Sequence, residues 1–233
     1  MTSPIILAVD TREFDTARAW IDATREHVGV YKLGLEFFLT FGTDGVNRIK
    51  NEFGVEIFLD LKLHDIPNTV ASAASAIAAI SPRFLTVHAS GGHAMVKAAV
   101  DAVPHIDITA VTILTSLSED DLFQIGFSQK AMESAVALAD LAVRAGAKAI
   151  VSSPLEIVAI RSAVGDKPTI ITPGVRPAGS AGSDDQVRTM TPHQAIAAGA
   201  NFVVIGRPIT GAWSEGAAAM GARAQSILEE IAG

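Results

Sequence analysis

The chain carries three charged residues of alternating sign within six positions, directly after an apolar segment. Asp60 and Lys62 lie two positions apart, and Asp65 follows three positions later. Side chains at i and i+2 of a strand point the same way, so Asp60 and Lys62 are expected on one face. An exposed pair of this kind contributes little to stability. The three charges alone therefore leave a solvated surface and a charge-based active site equally open.

The residues after Asp65 favour the active site. Pro67 predicts a rigid turn, and Asn68 or Thr69 is a typical helix N-cap. The segment thus reads as a strand–loop–helix junction, which is where α/β enzymes hold their catalytic groups. We interpret the charge array as the centre of a catalytic site.

The composition favours a well-packed α/β protein and excludes several other classes. The 233 residues are enough for a full core, and 49% of them are hydrophobic. The net charge of −7 gives no basis for nonspecific nucleic-acid binding, which needs a basic surface. The absence of cysteine excludes disulfides and thiolate metal sites and fits a reducing cytoplasm. Residues 1–4 lack a basic segment and no apolar run reaches about 20 residues, so we expect neither a signal peptide nor a membrane partner.

Apolar, β-branched segments alternate with helical ones along the chain. The eight predicted strands are Ile5–Asp10, Val30–Gly34, Glu56–Lys62, Phe84–Ala89, Ile108–Leu114, Ala149–Ser153, Thr169–Gly174 and Phe202–Gly206. Predicted helices include Phe14–His27, Thr69–Ile80, Ala94–Val103, Met132–Ala145 and Pro192–Ala198. Near-continuous apolar strands indicate a parallel sheet, and eight such units predict a single-domain (β/α)8 TIM barrel over residues 1–233. The alternative, an open doubly wound sheet, needs a glycine-rich turn where residues 10–13 read Asp-Thr-Arg-Glu.

Two long loops, residues 115–130 and 176–190, interrupt this alternation. The second is rich in glycine, alanine and serine. It follows the seventh strand, beside the position where barrels commonly bind phosphate. We interpret it as a lid that closes over the substrate.

Polar residues recur at the carboxyl ends of the predicted strands, where barrel enzymes hold their functional groups. In chain order they are Asp10, Lys32, Asp60, Lys62, His88, Thr115, Ser116, Arg176 and Arg207. This order places carboxylates and ammonium groups on one rim of the barrel, with the two arginines on the adjacent side. His88 is interpreted as a packed, hydrogen-bonded residue rather than as a catalytic one.

Two segments that pair glycine with arginine predict a phosphate site. Gly174 precedes Arg176 after the seventh strand, and Gly206 precedes Arg207 after the eighth. Glycine lets backbone N–H groups approach an anion, and arginine adds a bidentate clamp. A phosphorylated substrate is therefore predicted.

The charge array offers electrostatic rather than covalent chemistry. Two lysines, Lys32 and Lys62, flanked by Asp60 and Asp65 favour the charged forms of all four groups. A Schiff-base lysine needs a depressed pKa, which neighbouring carboxylates oppose. The sequence offers no Ser-His-Asp triad, nucleophilic cysteine or cluster of metal ligands.

Residues 57–70 resemble the signature of the orotidine 5'-phosphate decarboxylase family. That signature is Asp-x-Lys-x-x-Asp-Ile/Val-x-x-Thr, and its fixed positions are filled by Asp60, Lys62, Asp65, Ile66 and Thr69. The likeness continues in register from Asp10 to Arg207 and is to the bacterial, single-function branch. It implies a cytoplasmic homodimer that converts orotidine 5'-phosphate to uridine 5'-phosphate and CO2, the last step of de novo pyrimidine (UMP) biosynthesis. The family uses neither cofactor nor metal.

The resemblance also implies a role for each charged residue of the array. Asp10 and Lys32 would hold the ribose hydroxyls, with Lys32 also part of the charge network. Asp60 would lie beside the substrate carboxylate. Lys62 would donate a proton to C6 of the pyrimidine.

The remaining implied roles concern the partner subunit, the base and the phosphate. Residues that would reach into the partner subunit's active site are Asp65, Ile66 and Thr69. Thr115 or its neighbour Ser116 would hydrogen-bond the pyrimidine. The phosphate ligands would be Arg176, Gln186, Gly206 and Arg207.

Two alternative functions remain open. A Mg²⁺-dependent sugar-phosphate decarboxylase, such as 3-keto-gulonate 6-phosphate decarboxylase, shares the Asp-x-Lys-x-x-Asp array. It binds its metal with a carboxylate from the second strand, where this chain has Lys32, and Glu36 falls beyond Gly34. The other alternative is a noncatalytic barrel that binds a phosphorylated ligand, which the intact charge array disfavours.

Overall fold

Eight parallel strands form a closed barrel in which each strand pairs with its neighbours in sequence and the eighth pairs with the first. The computed structural model describes residues 3–177 and 190–233. The strands are β1 (Ile5–Ala8), β2 (Val30–Gly34), β3 (Ile57–Leu63), β4 (Phe84–His88), β5 (Asp107–Val111), β6 (Ala149–Val151), β7 (Thr169–Thr172) and β8 (Phe202–Ile205). The predicted (β/α)8 barrel is confirmed. Strands β1 and β5 end before the predicted Asp10 and Leu114, so those residues belong to the loops of the rim.

Helices connect the strands around the outside of the barrel. They are α1 (Phe14–Thr24), α2 (Leu35–Phe53), α3 (Pro67–Ile77), α4 (His93–Ala102), α5 (Glu119–Gln124), α6 (Ala131–Arg144), α7 (Ile157–Val164), α8 (Pro192–Ala197), α9 (Arg207–Thr210) and α10 (Ala217–Ala232). None of those found within residues 3–177 and 190–233 is long and apolar enough to cross a bilayer.

The segment 115–130, predicted as a loop, contains helix α5. Ser118 caps this helix: its hydroxyl accepts from the backbone N–H of Asp121, and the Asp121 carboxylate accepts from the backbone N–H of Ser118. This reciprocal arrangement satisfies two donors that a helix start leaves unpaired. The acidic run after Ser118 is therefore the first turn of a helix rather than an irregular loop.

An apolar layer fills the barrel interior near the amino-terminal ends of the strands, below the charged residues. Its buried members are Ile6, Val30, Phe58, Phe84, Ala149, Ile171 and Phe202. Phe84 meets both Phe58 and Phe202 edge-on, at centroid distances of 5.7 and 5.8 Å, and the Arg83 guanidinium lies 4.9 Å from the Phe84 centroid. Residues two positions further along each strand point inward again. The next layer therefore begins with Lys32, Asp60 and Thr86.

The last helix packs closely against the first. A Cβ atom at Gly221 of α10 would lie 2.7 Å from the backbone carbonyl oxygen of Ala23 in α1, inside any permitted contact. Gly211, by contrast, has no atom within 4 Å of the equivalent position and lies at φ −61°. The first glycine is required by packing, and the second is not.

We predict that Gly221→Ala lowers the free energy of unfolding by about 1–3 kcal/mol, because the added methyl forces α1 and α10 apart. Gly211→Ala, the matched control, is expected to be neutral or to raise it by up to about 1 kcal/mol, because it restricts the unfolded chain. Urea unfolding followed by far-ultraviolet circular dichroism measures both. Equal effects would contradict the close packing of the two helices.

Candidate active site

The end of strand β3 departs from regular strand geometry at the charge array. Its register with β4 shifts between Leu59 and Leu63, and Lys62 has φ +49°, in the left-handed region. Residues other than glycine rarely adopt that conformation, and holding one there costs about 1–3 kcal/mol. The side chains of Asp60 and Lys62 meet, as expected of residues on one face, but through an irregular strand end rather than a regular strand.

Four charged side chains, from strands β2 and β3 and the loop after β1, form a continuous chain of alternating sign. The Nζ atom of Lys62 lies 2.9 Å from each carboxylate oxygen of Asp60. The Nζ atom of Lys32 lies 3.6 Å from Asp60 Oδ2 and 3.3 Å from Asp10 Oδ1. Asp60 is 8% exposed, whereas the side chain of Asp10 is 56% exposed at the rim. The cluster is neutral in sum and strongly polar locally.

Asp60 is held ionised by its neighbours despite its burial. Burial alone would raise the pKa of its carboxyl, but the charges of Lys32 and Lys62 outweigh that effect. Hydrogen bonds from Lys62 and from the hydroxyl of Thr86 add to them, and the net result is a pKa below the usual aspartate value. A buried, charged carboxylate is therefore a permanent feature of the site at neutral pH.

A cavity of about 210 Å³ opens beside this cluster. Lys32, Asp60 and Lys62 line one side of it. The residues that line the rest are Phe58, Val111, Ile113, Leu114, Thr115, Ser116, Val151, Ser152, Pro173 and Val204. The cavity suits a small ligand with one apolar face and one face that meets alternating charges.

Two polar residues at this site, Thr86 and Ser152, are not predicted from the sequence. Thr86 is fully buried in β4 and hydrogen-bonds Asp60 and the backbone of Lys62. Ser152 follows β6 and lines the cavity, and its buried hydroxyl has no hydrogen-bond partner among the described residues. A polar residue on the inward face of an apolar strand is the signal that could have found Thr86.

The predicted phosphate ligands that the structure describes follow the ends of strands β7 and β8. Gly174 has φ +83°, a conformation that glycine adopts readily, and Arg176 follows it, partly buried, with its backbone N–H 2.8 Å from the Met190 carbonyl oxygen. Gly206 precedes α9. Arg207 is exposed and lines a separate groove with residues of α10. Gln186 lies outside the described residues. Arg176, Gly206 and Arg207 are not among the residues that line the cavity.

Asp65, Ile66 and Thr69 lie on the exposed side of the β3–α3 junction. Ile66 is 66% exposed, and the Asp65 carboxylate accepts a hydrogen bond of 2.6 Å from the Ile66 backbone N–H. None of the three lines the cavity of their own chain. Helix α3 begins at Pro67, its N-cap residue is Ile66, and no side chain caps it. The predicted cap at Asn68 or Thr69 is wrong because Pro67, with its fixed φ, already occupies the first helical position.

His88 packs beside the charge array without joining it. Its ring centroid lies 5.4 Å from that of His64, with the rings tilted by 36°. Burial, the neighbouring His64 and the charge of Lys62 lower the pKa of His88 below the ordinary histidine value. His88 is therefore neutral at neutral pH, as expected of a packed residue.

We predict that the stability contributed by the Asp60 charge disappears on acidification. Because the folded-state pKa of Asp60 is lowered, its contribution is present above the unfolded pKa of about 3.9 and is lost as the pH falls through the lower folded value. Wild type should thus be more stable than Asp60→Asn at neutral pH, and the difference should shrink below about pH 4.

Urea unfolding at a series of pH values measures this difference. Asp140→Asn is the matched control, because Asp140 forms only an exposed pair with Arg144 on helix α6. The free energy of unfolding of Asp140→Asn should change with pH in parallel with that of wild type. A parallel curve for Asp60→Asn would show that the charge cluster adds no pH-dependent stability.

Comparison with known proteins identifies the group to which this barrel belongs. Residues 3–222 match the model of the "Orotidine 5'-phosphate decarboxylase / HUMPS family". The chain is 51% identical over 219 residues to an orotidine 5'-phosphate decarboxylase of Thermobifida fusca, with 94% of each chain covered. It is 44% identical over 236 residues to that of Gluconobacter oxydans, which covers 98% of this chain and 97% of the relative.

A solved structure agrees with these relatives. The crystal structure of orotidine 5'-phosphate decarboxylase from Lactobacillus acidophilus superimposes with a TM-score of 0.85 at 33% identity, covering 99% of this chain and 100% of the other. The barrel, the signature around Lys62 and these similarities agree along nearly the full length. The chain belongs to the orotidine 5'-phosphate decarboxylase / HUMPS family.

Proposed function

We propose that this protein decarboxylates orotidine 5'-phosphate to uridine 5'-phosphate and CO2, in de novo pyrimidine biosynthesis. The observation that carries the proposal is the buried carboxylate of Asp60 between the ammonium groups of Lys32 and Lys62, at the wall of a small cavity. Curated relatives of the same length carry this activity in their names. We propose the whole barrel, residues 1–233, as the single catalytic domain.

The chemistry requires a fixed cation at the reacting carbon. When the bond between C6 and the carboxylate breaks, its electron pair stays on C6 and CO2 leaves. The resulting sp² carbanion is not delocalised by the ring, so the protein must stabilise it electrostatically. The ammonium group of Lys62, held 2.9 Å from both oxygens of Asp60, is suited to this. It then gives a proton to C6 and takes one back from water.

Asp60 contributes through its own charge. A substrate carboxylate placed beside it would meet a second negative charge in a site with little water, and that repulsion is relieved as CO2 departs. The low pKa of Asp60, set by Lys32 and Lys62 against the effect of burial, keeps this charge in place. We assign Asp10 and Lys32, which meet each other at the rim, to the ribose hydroxyls.

The rest of the substrate is assigned to the rim. Thr115 or Ser116, which line the cavity, would hydrogen-bond the pyrimidine. The phosphate ligands in this proposal are Arg176, Gln186, Gly206 and Arg207. Because the phosphate lies far from C6, its binding energy can drive loop closure and orient the base. Arg207 lines a separate groove in the described structure, which fits a site completed by such closure.

The Mg²⁺-dependent sugar-phosphate decarboxylase is the less favoured reading. Lys32 occupies the second-strand position from which that rival takes a metal-binding carboxylate. Glu36, the nearest carboxylate beyond β2, is paired with Arg12 at 2.8 Å. The ammonium group of Lys32 would repel a divalent cation at this site. The Glu36 carboxylate is paired with Arg12 and is not directed to the site.

The compartment of the protein and its binding partners are also part of the proposal. We propose a cytoplasmic enzyme that acts on a small nucleotide, with a second copy of the chain as its partner. We propose that its partners include neither nucleic acid nor a membrane surface, which the net charge of −7 supports.

The direct test follows the ultraviolet absorbance of orotidine 5'-phosphate incubated with the purified protein, with and without a chelator. We expect the substrate spectrum to change to that of uridine 5'-phosphate at the same rate in both. An unchanged spectrum would refute the decarboxylase. Activity that the chelator removes and Mg²⁺ restores would favour the sugar-phosphate rival.

We predict that Lys62→Ala reduces kcat by at least about 1,000-fold while uridine 5'-phosphate still binds, because the ammonium group acts mainly in the transition state. Calorimetric titration with uridine 5'-phosphate measures the binding. Lys97→Ala, which removes a surface lysine paired with Asp101 on α4, is the control and should behave as wild type. Near-normal turnover by Lys62→Ala would exclude it as the proton donor.

We propose further that two subunits share each active site. Asp65, Ile66 and Thr69 face outward from their own barrel, and Ile66 leaves an apolar side chain 66% exposed there. In a two-fold dimer, the same patch on both subunits can reach across the axis. Asp65 of one chain would then complete the site that holds Lys62 of the other.

Mixed dimers test this sharing. Lys62→Ala and Asp65→Ala homodimers should each be nearly inactive. After joint unfolding and refolding, half the dimers are mixed and each has one intact site, so about a quarter of wild-type activity should return.

The control for this experiment pairs Lys62→Ala with Asp60→Asn. Both of these residues serve the site of their own chain, so no activity should return in their mixed dimers. If Lys62→Ala and Asp65→Ala also fail to complement although mixed dimers form, Asp65 acts within its own subunit.

A further inference from the structure

Thr86 occupies an unusual position in the middle of strand β4. It is fully buried on the inward face, with Leu85 and Val87 on either side directed to the opposite face. Its hydroxyl accepts a hydrogen bond of 2.8 Å from the backbone N–H of Lys62. The same hydroxyl donates its proton to Asp60 Oδ1, at 3.0 Å. A single hydroxyl thus joins the backbone of one active-site residue to the side chain of another.

The bond to Lys62 supports a backbone that regular pairing does not. Strands β3 and β4 pair at Leu59 with Leu85 and resume only at Leu63 with Val87. Between those points the N–H of Lys62 lies outside the hydrogen-bond ladder of β3 and β4, and Lys62 has φ +49°. Without the Thr86 hydroxyl this amide would lose its hydrogen-bond partner, which is unfavourable. The hydroxyl therefore replaces the missing strand contact and stabilises the left-handed conformation of Lys62.

The bond to Asp60 fixes the other half of the ion pair. Lys32 and Lys62 approach that carboxylate on long, flexible side chains, whereas Thr86 has a short, β-branched side chain with restricted rotation about its first bond. Of these three contacts, Thr86 is therefore the most rigid anchor. The orientation of the Asp60 carboxylate, and through it the position of the Lys62 ammonium group, follows from that anchor.

We propose that Thr86 is a positioning residue of the decarboxylation: its one hydroxyl couples the backbone of Lys62 to the carboxylate of Asp60 and so sets where the ammonium group stands. This inference rests on the proposed function. Thr86 does not line the cavity, so it acts through Lys62 and Asp60 rather than on the substrate. Its loss should therefore lower kcat much more than it raises KM.

A pair of substitutions at Thr86 distinguishes the effect of the hydroxyl group from the effect of side-chain volume. Thr86→Val keeps the shape and removes both hydrogen bonds, whereas Thr86→Ser keeps the hydroxyl and removes a methyl. Thr109→Val is the matched control: Thr109 is fully buried on the next strand, directly paired with Thr86, and its hydroxyl bonds only the Asp107 backbone carbonyl oxygen.

The experiment measures kcat and KM for orotidine 5'-phosphate with wild type and the three variants. We expect Thr86→Val to lower kcat about 10- to 100-fold, as a misplaced catalytic group does, with KM within about threefold of wild type. Thr86→Ser and Thr109→Val should stay within about threefold in both constants. Equal losses in Thr86→Val and Thr86→Ser, or in Thr86→Val and Thr109→Val, would reduce Thr86 to a packing residue and overturn the proposal.

The pH profile gives an independent readout. The groups around Asp60 are Lys32 from β2, Lys62 from β3 and Thr86 from β4, with His88 beyond Lys62. Thr86 is one of the donors that lower the pKa of Asp60. The acid limb of kcat/KM should therefore move to higher pH in Thr86→Val and stay in place in Thr109→Val. An unmoved limb in Thr86→Val would contradict the coupling.

Two further results keep the test decisive. If Thr86→Val does not fold, Thr86→Cys replaces it, because its thiol is a weak hydrogen-bond group. Its kcat should fall well below that of Thr86→Ser, and equal values would overturn the proposal. A wild type without activity would refute the proposed function and this inference with it, whereas an active wild type matched by Thr86→Val refutes the inference alone.

Discussion

The structure depends on keeping one carboxylate charged inside the barrel. Asp60 is buried, which by itself disfavours its ionised form, and two lysines and a threonine hydroxyl reverse that preference. Removing either lysine would take away part of the compensation for this buried charge, which would destabilise the fold. The charges are therefore arranged as a set, and the bulge of β3 and the inward threonine of β4 are parts of that arrangement.

The same constraint accounts for the layering of the interior. Below the charges lies a closely packed aromatic layer formed by Phe58, Phe84 and Phe202. It provides rigid, weakly polar surroundings, in which electrostatic interactions are stronger than in water. Above the charges the cavity opens toward the rim. The charged side chains of β2 and β3 thus rest on packed strands, while loops of the rim form part of the cavity wall.

Much of this could be predicted from the sequence, and the exceptions share a physical cause. The eight strands follow from local apolar patterns, and the grouping of Asp10, Lys32, Asp60 and Lys62 follows from barrel geometry once the strands are known. The inward-facing polar side chain of Thr86 is a weak signal, because a threonine within an apolar strand is also an ordinary β-branched strand residue. Its role arises from a contact with residues 24 and 26 positions away. The sequence pattern also does not predict the kink of helix α2, where Gly42 has φ +60°.

The aromatic layer also limits the routes by which a proton can return to Lys62. In the proposed mechanism, each turnover leaves Lys62 as a neutral amine, which must regain a proton before the next substrate can react. The layer fills the barrel beneath the charges with buried side chains, and Arg83 lies over two of its rings. In that mechanism, water must therefore reach Lys62 from the rim side of the barrel, through the opening of the cavity. Product release and the return of the proton would then use the same route.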